Sequence, residues 1–326
     1  MNALPQIAAA GAGRMGQGIA QVFAYAGYEV SLIDLKKRPD TETVPFANNA
    51  LMQIEKNLRF LASLDVFPED KIPPIMARIH FQAESEADQA LSQADFIFEG
   101  VPEVLKIKES ALGRISQANE QAVIASTTST MLVTQLADFV HNPARFLNAH
   151  WLNPAYLIPL VEVSPDPATA RESTASLMAL LKHVGKRPVR CAARPGYIVP
   201  RIQAAAMNEA ARMVEEGVAS PAEIDEAVRL GFGIRYATMG LIEFIDWGGV
   251  DILYYASNYL KDALPDPRFE PPPVIAKMME DGRRGMREGQ GFYDFREMDV
   301  TAYQHDTLAR FVRLLNHMEL LAAPAD

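Results

Sequence analysis

Short apolar runs alternate with stretches of helical periodicity up to about residue 192. Gln6–Ala10, Glu29–Asp34, Asp95–Glu99 and Val123–Ser126 are rich in consecutive apolar positions, as expected of parallel strands buried on both faces. Phe146–His150 and Val161–Ser164 are two further strand candidates, and Ile79–Phe81 and Pro188–Cys191 are short ones. Between them, Gly16–Gly27, Phe46–Leu64, Lys106–Asn119 and Thr169–Val184 show helical spacing, and Gly27 supplies a stop signal. Such alternation predicts a parallel sheet wrapped by helices.

The pattern changes near Arg194-Pro195-Gly196, after which apolar residues recur mostly at three and four. Ile198–Gly217 reads as one long helix. Ser220-Pro221-Ala222-Glu223 opens the next, with a Ser cap, Pro at the first helical position and Glu at the third. Met239–Leu260 is either one helix or two, broken near Trp247-Gly248-Gly249. Leu264–Pro273 is proline-rich and expected to be irregular. Thr301–Leu321 is expected to form a terminal helix followed by a frayed end. The organisation expected is an α/β domain over residues 1–192 and an all-α domain over 193–326. Ligands commonly bind between domains and at the carboxyl ends of parallel strands.

At 326 residues the chain can bury a large core without covalent staples. Its 49% hydrophobic and 22% charged residues are the balance of a soluble globular protein. The single cysteine, Cys191, excludes an internal disulfide framework and fits a reducing compartment. Net charge is −10, and Lys36-Lys37-Arg38 and Arg283-Arg284 are the basic runs that stand out, so nucleic acid is not an expected partner. Gln6–Ala10 already reads as a buried strand, which leaves no room for a cleavable leader. No stretch stays apolar for the roughly 20 residues of a membrane span. A cytoplasmic location follows by default, and no metal is expected.

Gly11-Ala12-Gly13-Arg14-Met15-Gly16 has the spacing of a loop that cradles a pyrophosphate. The context fits: a strand precedes it, a helix follows it, and Asp34 ends the next strand 18 residues after Gly16. A carboxylate there can accept from ribose hydroxyls and would repel a 2′-phosphate, which points to NAD. The bland reading is a plain βαβ turn with an exposed Asp. Lys36, Lys37 and Arg38 complicate the choice, since cations beside Asp34 could also meet a 2′-phosphate.

Downstream, His150 ends one predicted strand, Asn153-Pro154 turns the chain, and Glu162 returns in another 12 residues later. Two strands meeting at one sheet end can bring imidazole and carboxylate within hydrogen-bond reach. An alcohol dehydrogenation needs a base for the hydroxyl proton, and a carboxylate on the other ring nitrogen fixes the tautomer. From spacing alone the pair reads equally well as a core histidine and an edge-strand glutamate. Asn153 could orient substrate or start the turn. The run Ser126-Thr127-Thr128-Ser129-Thr130 could face a ligand or cap a helix.

Taken together, the chain resembles the L-3-hydroxyacyl-CoA dehydrogenase family. The likeness runs through Gly11–Gly16, Glu99-Gly100-Val101-Pro102-Glu103, Ala125–Ser129, His150-Trp151-Leu152-Asn153-Pro154, Val161-Glu162-Val163, Pro195-Gly196-Tyr197-Ile198-Val199 and Gly289-Gln290-Gly291-Phe292-Tyr293. It covers nearly the whole chain, and the combination is specific although each piece is not. It implies a Rossmann-type doubly wound sheet followed by a helical domain that dimerises. It also implies a catalytic His150–Glu162 pair, Ser129 holding the substrate oxygen, and Glu103 and Lys108 near the nicotinamide.

Three departures stand out. Pro200 occupies the position of a family asparagine whose amide reaches the substrate oxygen. Asn57 and Leu64 fall where short-chain members carry a serine and a lysine near coenzyme A, with Arg59 a nearby cation. Gly231-Phe232-Gly233-Ile234-Arg235-Tyr236-Ala237 is more similar to the branch containing L-gulonate 3-dehydrogenase (lambda-crystallin) and L-carnitine dehydrogenase. Arg235 could there pair with a substrate carboxylate, or form an ordinary salt bridge. Trp247, Tyr254 and Tyr255 could shape a pocket or simply pack. The expectation is an NAD-dependent dehydrogenase of an L-3-hydroxyacyl-CoA or a free 3-hydroxy acid. A nucleotide-binding structural protein of crystallin type is the alternative from another class.

Overall fold

Eight short strands make one sheet in the computed structural model, which describes residues 4–264, 266–322 and 324. They are β1 Ile7–Ala10, β2 Val30–Ile33, β3 Ile79–Gln82, β4 Phe96–Glu99, β5 Val123–Ser126, β6 Phe146–Trp151, β7 Leu160–Pro165 and β8 Arg187–Arg190. Their order is β3-β2-β1-β4-β5-β6-β7-β8. Neighbours are parallel except β6 and β7, which run antiparallel. The chain winds from β1 first one way to β2 and β3, then the other way to β4, so the switch point lies between β1 and β4. A crevice forms there at the carboxyl ends of the strands, because the connections depart in opposite directions.

The apolar runs explain why helices cover both faces. Side chains of successive strand residues point to opposite sides. Ile7, Ala9, Leu32 and Phe98 enter one core layer, where they meet Ile19 and Phe23 of the helix Arg14–Tyr25, Ile54 of Asp40–Ser63 and Leu177 of Arg171–His183. Ala8, Ala10, Ile33 and Ile97 enter the other, with Leu91, Leu112, Ile115 and Leu136 from helices on that side. Each layer removes apolar surface from water at about 25 cal/mol per Å², so neither face is left to solvent. The fold is a doubly wound α/β sheet followed by helices.

The structure also revises several element boundaries. The helix expected over Phe46–Leu64 starts at Asp40, despite Pro45 within it. Asp40 and Glu42 in its first turn favour that early start by facing the positive end of the helix dipole. Short helices Ile72–Met76, Ala87–Ser92 and Val133–Ala137 had no periodic signal. Met239–Leu260 resolves into two helices, Leu241–Gly248 and Val250–Ala263, with Gly249 at φ 110° between them. Within Leu264–Pro273, Pro267–Phe269 forms a single 3₁₀ turn, and residue 265 lies outside the described residues. The terminal helix is Val300–His317, and most of the expected frayed end (323, 325 and 326) also lies outside them.

Two compact units result, Met1–Met207 and Asn208–Asp326, dividing inside the helix Val199–Glu215. The second is helical, with a small core of Val250, Ile275 and Met278. Its capping box is formed, Ser220 receiving the Glu223 N–H while Glu223 receives that of Ser220. Buried Asp246 accepts the N–H groups of Phe292 and Tyr293 at 2.9 and 2.8 Å, giving the Gly-Gln-Gly-Phe-Tyr motif a structural role. No helix of the described residues is long and apolar enough to cross a membrane.

Candidate active site

The antiparallel register of β6 and β7 sets His150 directly opposite Glu162. Opposed residues project to the same side of a sheet, within reach of each other. His150 Nδ1 lies 2.8 Å from Glu162 Oε2. The other carboxylate oxygen, Oε1, accepts the N–H groups of Ile198 and Val199 at 2.9 and 2.8 Å, where the helix Val199–Glu215 begins. Glu162 is completely buried, so these partners replace the hydrogen bonds of lost water. A carboxylate only accepts, which places the hydrogen on Nδ1 and leaves the Nε2 lone pair available.

Tyr197 covers the imidazole. Its ring stacks on His150 with centroids 4.8 Å apart and planes 16° from parallel. The hydroxyl donates to the Thr128 carbonyl at 2.9 Å and accepts from Asn148 Nδ2 at 3.0 Å. Burial pushes the phenol pKa upward, against the lowering effect of Asn148, so it remains a neutral donor.

Beyond β4 and β5 lies a buried ionic chain. Lys108, fully buried, donates to both oxygens of Glu99 at 3.0 and 3.1 Å and pairs with Glu103 Oε2 at 3.1 Å. Glu99 also receives the Val101 N–H and the Ser126 hydroxyl. Glu103 Oε1 accepts from the Thr128 hydroxyl and the Ser129 N–H, both at 2.6 Å, and from the Ser129 hydroxyl at 3.2 Å. Burial would raise the Glu103 pKa, but the Thr128 hydroxyl, Lys108 and the Ser129 N–H outweigh it and bring it to about 2. The Ser/Thr run therefore wraps a carboxylate. It does not cap the next helix, whose N-cap is Leu132.

These groups border a cleft of about 460 Å³, lined by Arg14, Met15, Glu103, Lys108, Ser129, His150, Asn153, Pro200 and Gln203 among others. A second cleft of about 810 Å³ holds Gly11, Gly13, Asp34, Lys36 and Arg38, and shares Arg14, Gly100 and Val101 with the first. The loop geometry fits a dinucleotide. A Cβ on Gly16 would sit 1.9 Å from the Gly11 carbonyl oxygen, so glycine is needed for the helix to approach the strand. A Cβ on Gly13 would meet nothing within 4 Å, leaving open space at the helix start. That start has no acidic residue in its first turn and no side-chain cap, so its N–H groups can face an anion. Asp34, at the end of β2, borders the same cleft with its carboxylate in contact with Arg38.

Other residues singled out in the sequence fall as follows. Pro200 lines the smaller cleft, and so does Gln203 one helical turn later, an amide that the sequence reading did not single out. Asn57 bonds to Gln21, Leu64 is exposed, and Arg59 is held by Glu55 and Glu69. In the second unit, Arg235 is exposed, lies 4.7 Å from the Phe244 ring centroid and pairs with no carboxylate among the described residues. It follows a π-helical segment, Val228–Gly233. Trp247 packs near Tyr303, and Tyr254 against Tyr255. Tyr197, Glu99 and Ser126 were also missed as site residues. The signal for the last two was available in part: a lysine and two glutamates bracketing a strand end.

Comparison with known proteins shows the family to which the chain belongs. Residues 6–194 match the family model for the 3-hydroxyacyl-CoA dehydrogenase NAD binding domain, and residues 196–295 match the model for the C-terminal domain of the same family. A probable 3-hydroxybutyryl-CoA dehydrogenase of Bacillus subtilis is 31% identical over 295 residues, 90% of this chain and 98% of that protein. The crystal structure of a 3-hydroxyacyl-CoA dehydrogenase from Archaeoglobus fulgidus superposes with a TM-score of 0.77 at 29% identity, covering 98% of this chain and 100% of the other. A 5-formyl-3-hydroxy-2-methylpyridine 4-carboxylic acid 5-dehydrogenase, described as an NAD+-dependent dismutase, gives 0.70 at 26% identity, covering 97% and 99%.

Proposed function

The chain belongs to the 3-hydroxyacyl-CoA dehydrogenase family, and on that premise we propose that it interconverts an L-3-hydroxyacyl-CoA and its 3-keto form at the cleft bordered by His150 and Ser129. NAD, when bound, supplies the acceptor for two electrons and the C3 hydrogen. The loop Gly11–Gly16 with Arg14 and Met15 holds its pyrophosphate, Asp34 its adenosine ribose, and Glu103 and Lys108 border the nicotinamide end. His150 Nε2 takes the hydroxyl proton as the C3–H bond breaks. Glu162 holds the Nδ1 hydrogen in place and stabilises the imidazolium that results. Ser129 donates to the substrate oxygen. Its hydroxyl can turn from the 3.2 Å contact with Glu103, whose Oε1 keeps the Ser129 backbone N–H. Asn153 and Gln203 supply amides around the substrate, Gln203 on the wall where Pro200 offers none.

The observation that carries this reading is the 2.8 Å contact of His150 Nδ1 with a buried carboxylate, on a ring whose side chain also lines the cleft. Such an assembled pair favours an enzyme over a nucleotide-binding structural protein. The test is the change in NADH absorbance with acetoacetyl-CoA, for wild type and His150→Ala. The reading requires turnover by the first and its collapse in the second.

Arg235 motivates a second reading, in which the substrate is a free 3-hydroxy acid. An arginine without a carboxylate partner among the described residues is suited to an anionic group. Arg59, on a turn near the position of the missing lysine, is already held by two glutamates. A homodimer is part of the proposal as well. The 17-residue helix Val199–Glu215 buries none of its residues, and Val250–Ala263 buries Val250 alone, while Met207, Ile252, Tyr255 and Tyr259 stand exposed. A second copy of the chain is the partner that would cover these faces.

A further inference from the structure

We propose that Tyr197 is a positioning residue that sets the base and the oxygen-binding serine against each other. The inference rests on the roles given above to His150 and Ser129.

Its geometry is unusual for a bulky side chain. Tyr197 has φ 46°, in the left-handed region that residues other than glycine seldom adopt, directly after Gly196 at φ 81°. That backbone turn lets one tripeptide serve three groups. The Tyr197 ring lies parallel on the His150 imidazole, at 4.8 Å. The next two N–H groups, of Ile198 and Val199, hold Glu162 Oε1. The hydroxyl reaches across to the Thr128 carbonyl.

Thr128 is the residue before Ser129, and it is pinned from both sides. Its side-chain hydroxyl is fixed on Glu103, and its carbonyl on Tyr197. Asn148 of β6 closes the arrangement, giving one amide hydrogen to the Tyr197 oxygen and the other to the Met131 carbonyl, beyond the serine. The loop that carries Ser129 is thus tied to the strand that carries His150 at two points, directly from Asn148 to Met131 and, at Thr128, through the phenolic oxygen of Tyr197. The His150 ring packs on the same side chain. Strain in a backbone held this way is commonly retained where it serves function. A base and a hydrogen-bond donor that must touch one substrate hydroxyl tolerate little relative movement. A misplacement of about 1 Å can lower turnover roughly 100-fold.

The ring and the hydroxyl can be separated experimentally. Tyr197→Phe keeps the stack and removes the tie to Thr128. We expect kcat with acetoacetyl-CoA to fall about 10- to 100-fold, with NADH affinity by fluorescence within about twofold of wild type. The decisive comparison is a double-mutant cycle with Ser129→Ala. If the hydroxyl acts through the serine loop, Tyr197→Phe costs nothing further once Ser129 is gone. Near-wild-type kcat in Tyr197→Phe would overturn the proposal, and so would losses that multiply in the double variant. A Tyr197→Phe protein that no longer folds or binds NADH would assign the hydroxyl to stability and equally overturn it. Ser129→Ala at full kcat would instead remove the role given to the serine, and the inference with it. An impaired Ser129→Ala beside a normal Tyr197→Phe rejects the inference alone.

Discussion

Arg38 closes on Asp34, Nε to Oδ2 at 2.5 Å, with its guanidinium 3.8 Å from the centroid of the Phe46 ring. This neighbouring cation is therefore engaged by the Asp34 carboxylate, and the Lys36 N–H bonds the other carboxylate oxygen at 3.1 Å. A 2′-phosphate entering here would face the Asp34 charge and compete with it for Arg38. NADH should bind more tightly than NADPH, and Asp34→Ala should narrow the gap at least about tenfold by freeing Arg38 for the phosphate. Fluorescence titration of both reduced cofactors decides it. Equal binding by wild type, or an unchanged ratio in Asp34→Ala, would assign the discrimination elsewhere.

His150→Ala should lose far more turnover than cofactor affinity, by about 10²–10⁴-fold for removal of a general base. Glu162→Gln keeps the shape and an acceptor for the Ile198 and Val199 N–H groups, but loses the charge opposite the ring. It should cut kcat with little change in melting temperature. Retention of nearly full kcat by either variant, on a substrate the wild type turns over, would dismiss the pair.

The geometry of that pair was accessible from sequence because a turn at Asn153-Pro154 between two apolar runs makes a hairpin, and hairpin register decides which residues face each other. The glycine loop was accessible for a similar reason, its spacing being a local property. The Ser126–Glu99–Lys108 cluster was legible only in part, as a lysine and two glutamates bracketing a strand end, since it joins strand residues 27 positions apart and an apolar run does not show which of its polar residues pair. Tyr197 stayed hidden because a left-handed tyrosine has no sequence signature. Its stacking also depends on where two distant strands end. Val133–Ala137 and Ile72–Met76 are five residues each, too short for a 3.6-residue period to show. Pro45 obscured the start at Asp40, although acidic residues in the first turn outweigh it.

Lys186 gives a pH dependence that separates burial from chemistry. It is buried beneath the loop after His150 and Trp151, donating to the Ala155 and Ile158 carbonyls and lying 5.5 Å from the Trp151 ring centroid. Burial, with no carboxylate partner among the described residues, lowers its pKa to about 8, from the ordinary 10.5. Below pH 8 both folded and unfolded chains carry the proton, and the folded state bears the full cost of the buried charge. Between about 8 and 10.5 the unfolded chain binds more protons, so this group's contribution to stability rises with pH. Lys186→Met should be less stable overall, through the two carbonyls left unpaired. The deficit should widen between pH 7.5 and 10 in parallel melting experiments. A constant or narrowing difference would show that Lys186 does not titrate in that window.

The exposed apolar helices make the oligomeric state measurable. Light scattering at micromolar concentration should give twice the 35.9 kDa chain mass. Met207→Asp and Tyr259→Asp, which place charge on the exposed faces, should shift the protein toward monomer while leaving the sheet unit folded. A monomeric wild type would refute the dimer.

Substitution of Arg235 is the experiment that should separate the two substrate classes. A carboxylate leaving water for a binding site requires a cationic partner, because an unpaired buried charge is very costly. If a free 3-hydroxy acid is the substrate and its binding buries the exposed Arg235 guanidinium against the carboxylate, Arg235→Met should raise its KM steeply, the loss of a buried pair being worth about 2–5 kcal/mol. In a 3-hydroxyacyl-CoA the carboxyl is a neutral thioester, so the same substitution should leave its kinetics nearly unchanged. The measurement is kcat and KM for acetoacetyl-CoA and for a panel of free 3-hydroxy acids, with wild type and Arg235→Met side by side. Efficient thioester turnover that survives the substitution, with no activity on the acids, fixes the substrate as acyl-CoA. Activity confined to an acid, and lost with the guanidinium, fixes it as the free acid and makes Arg235 the residue that reads its charge.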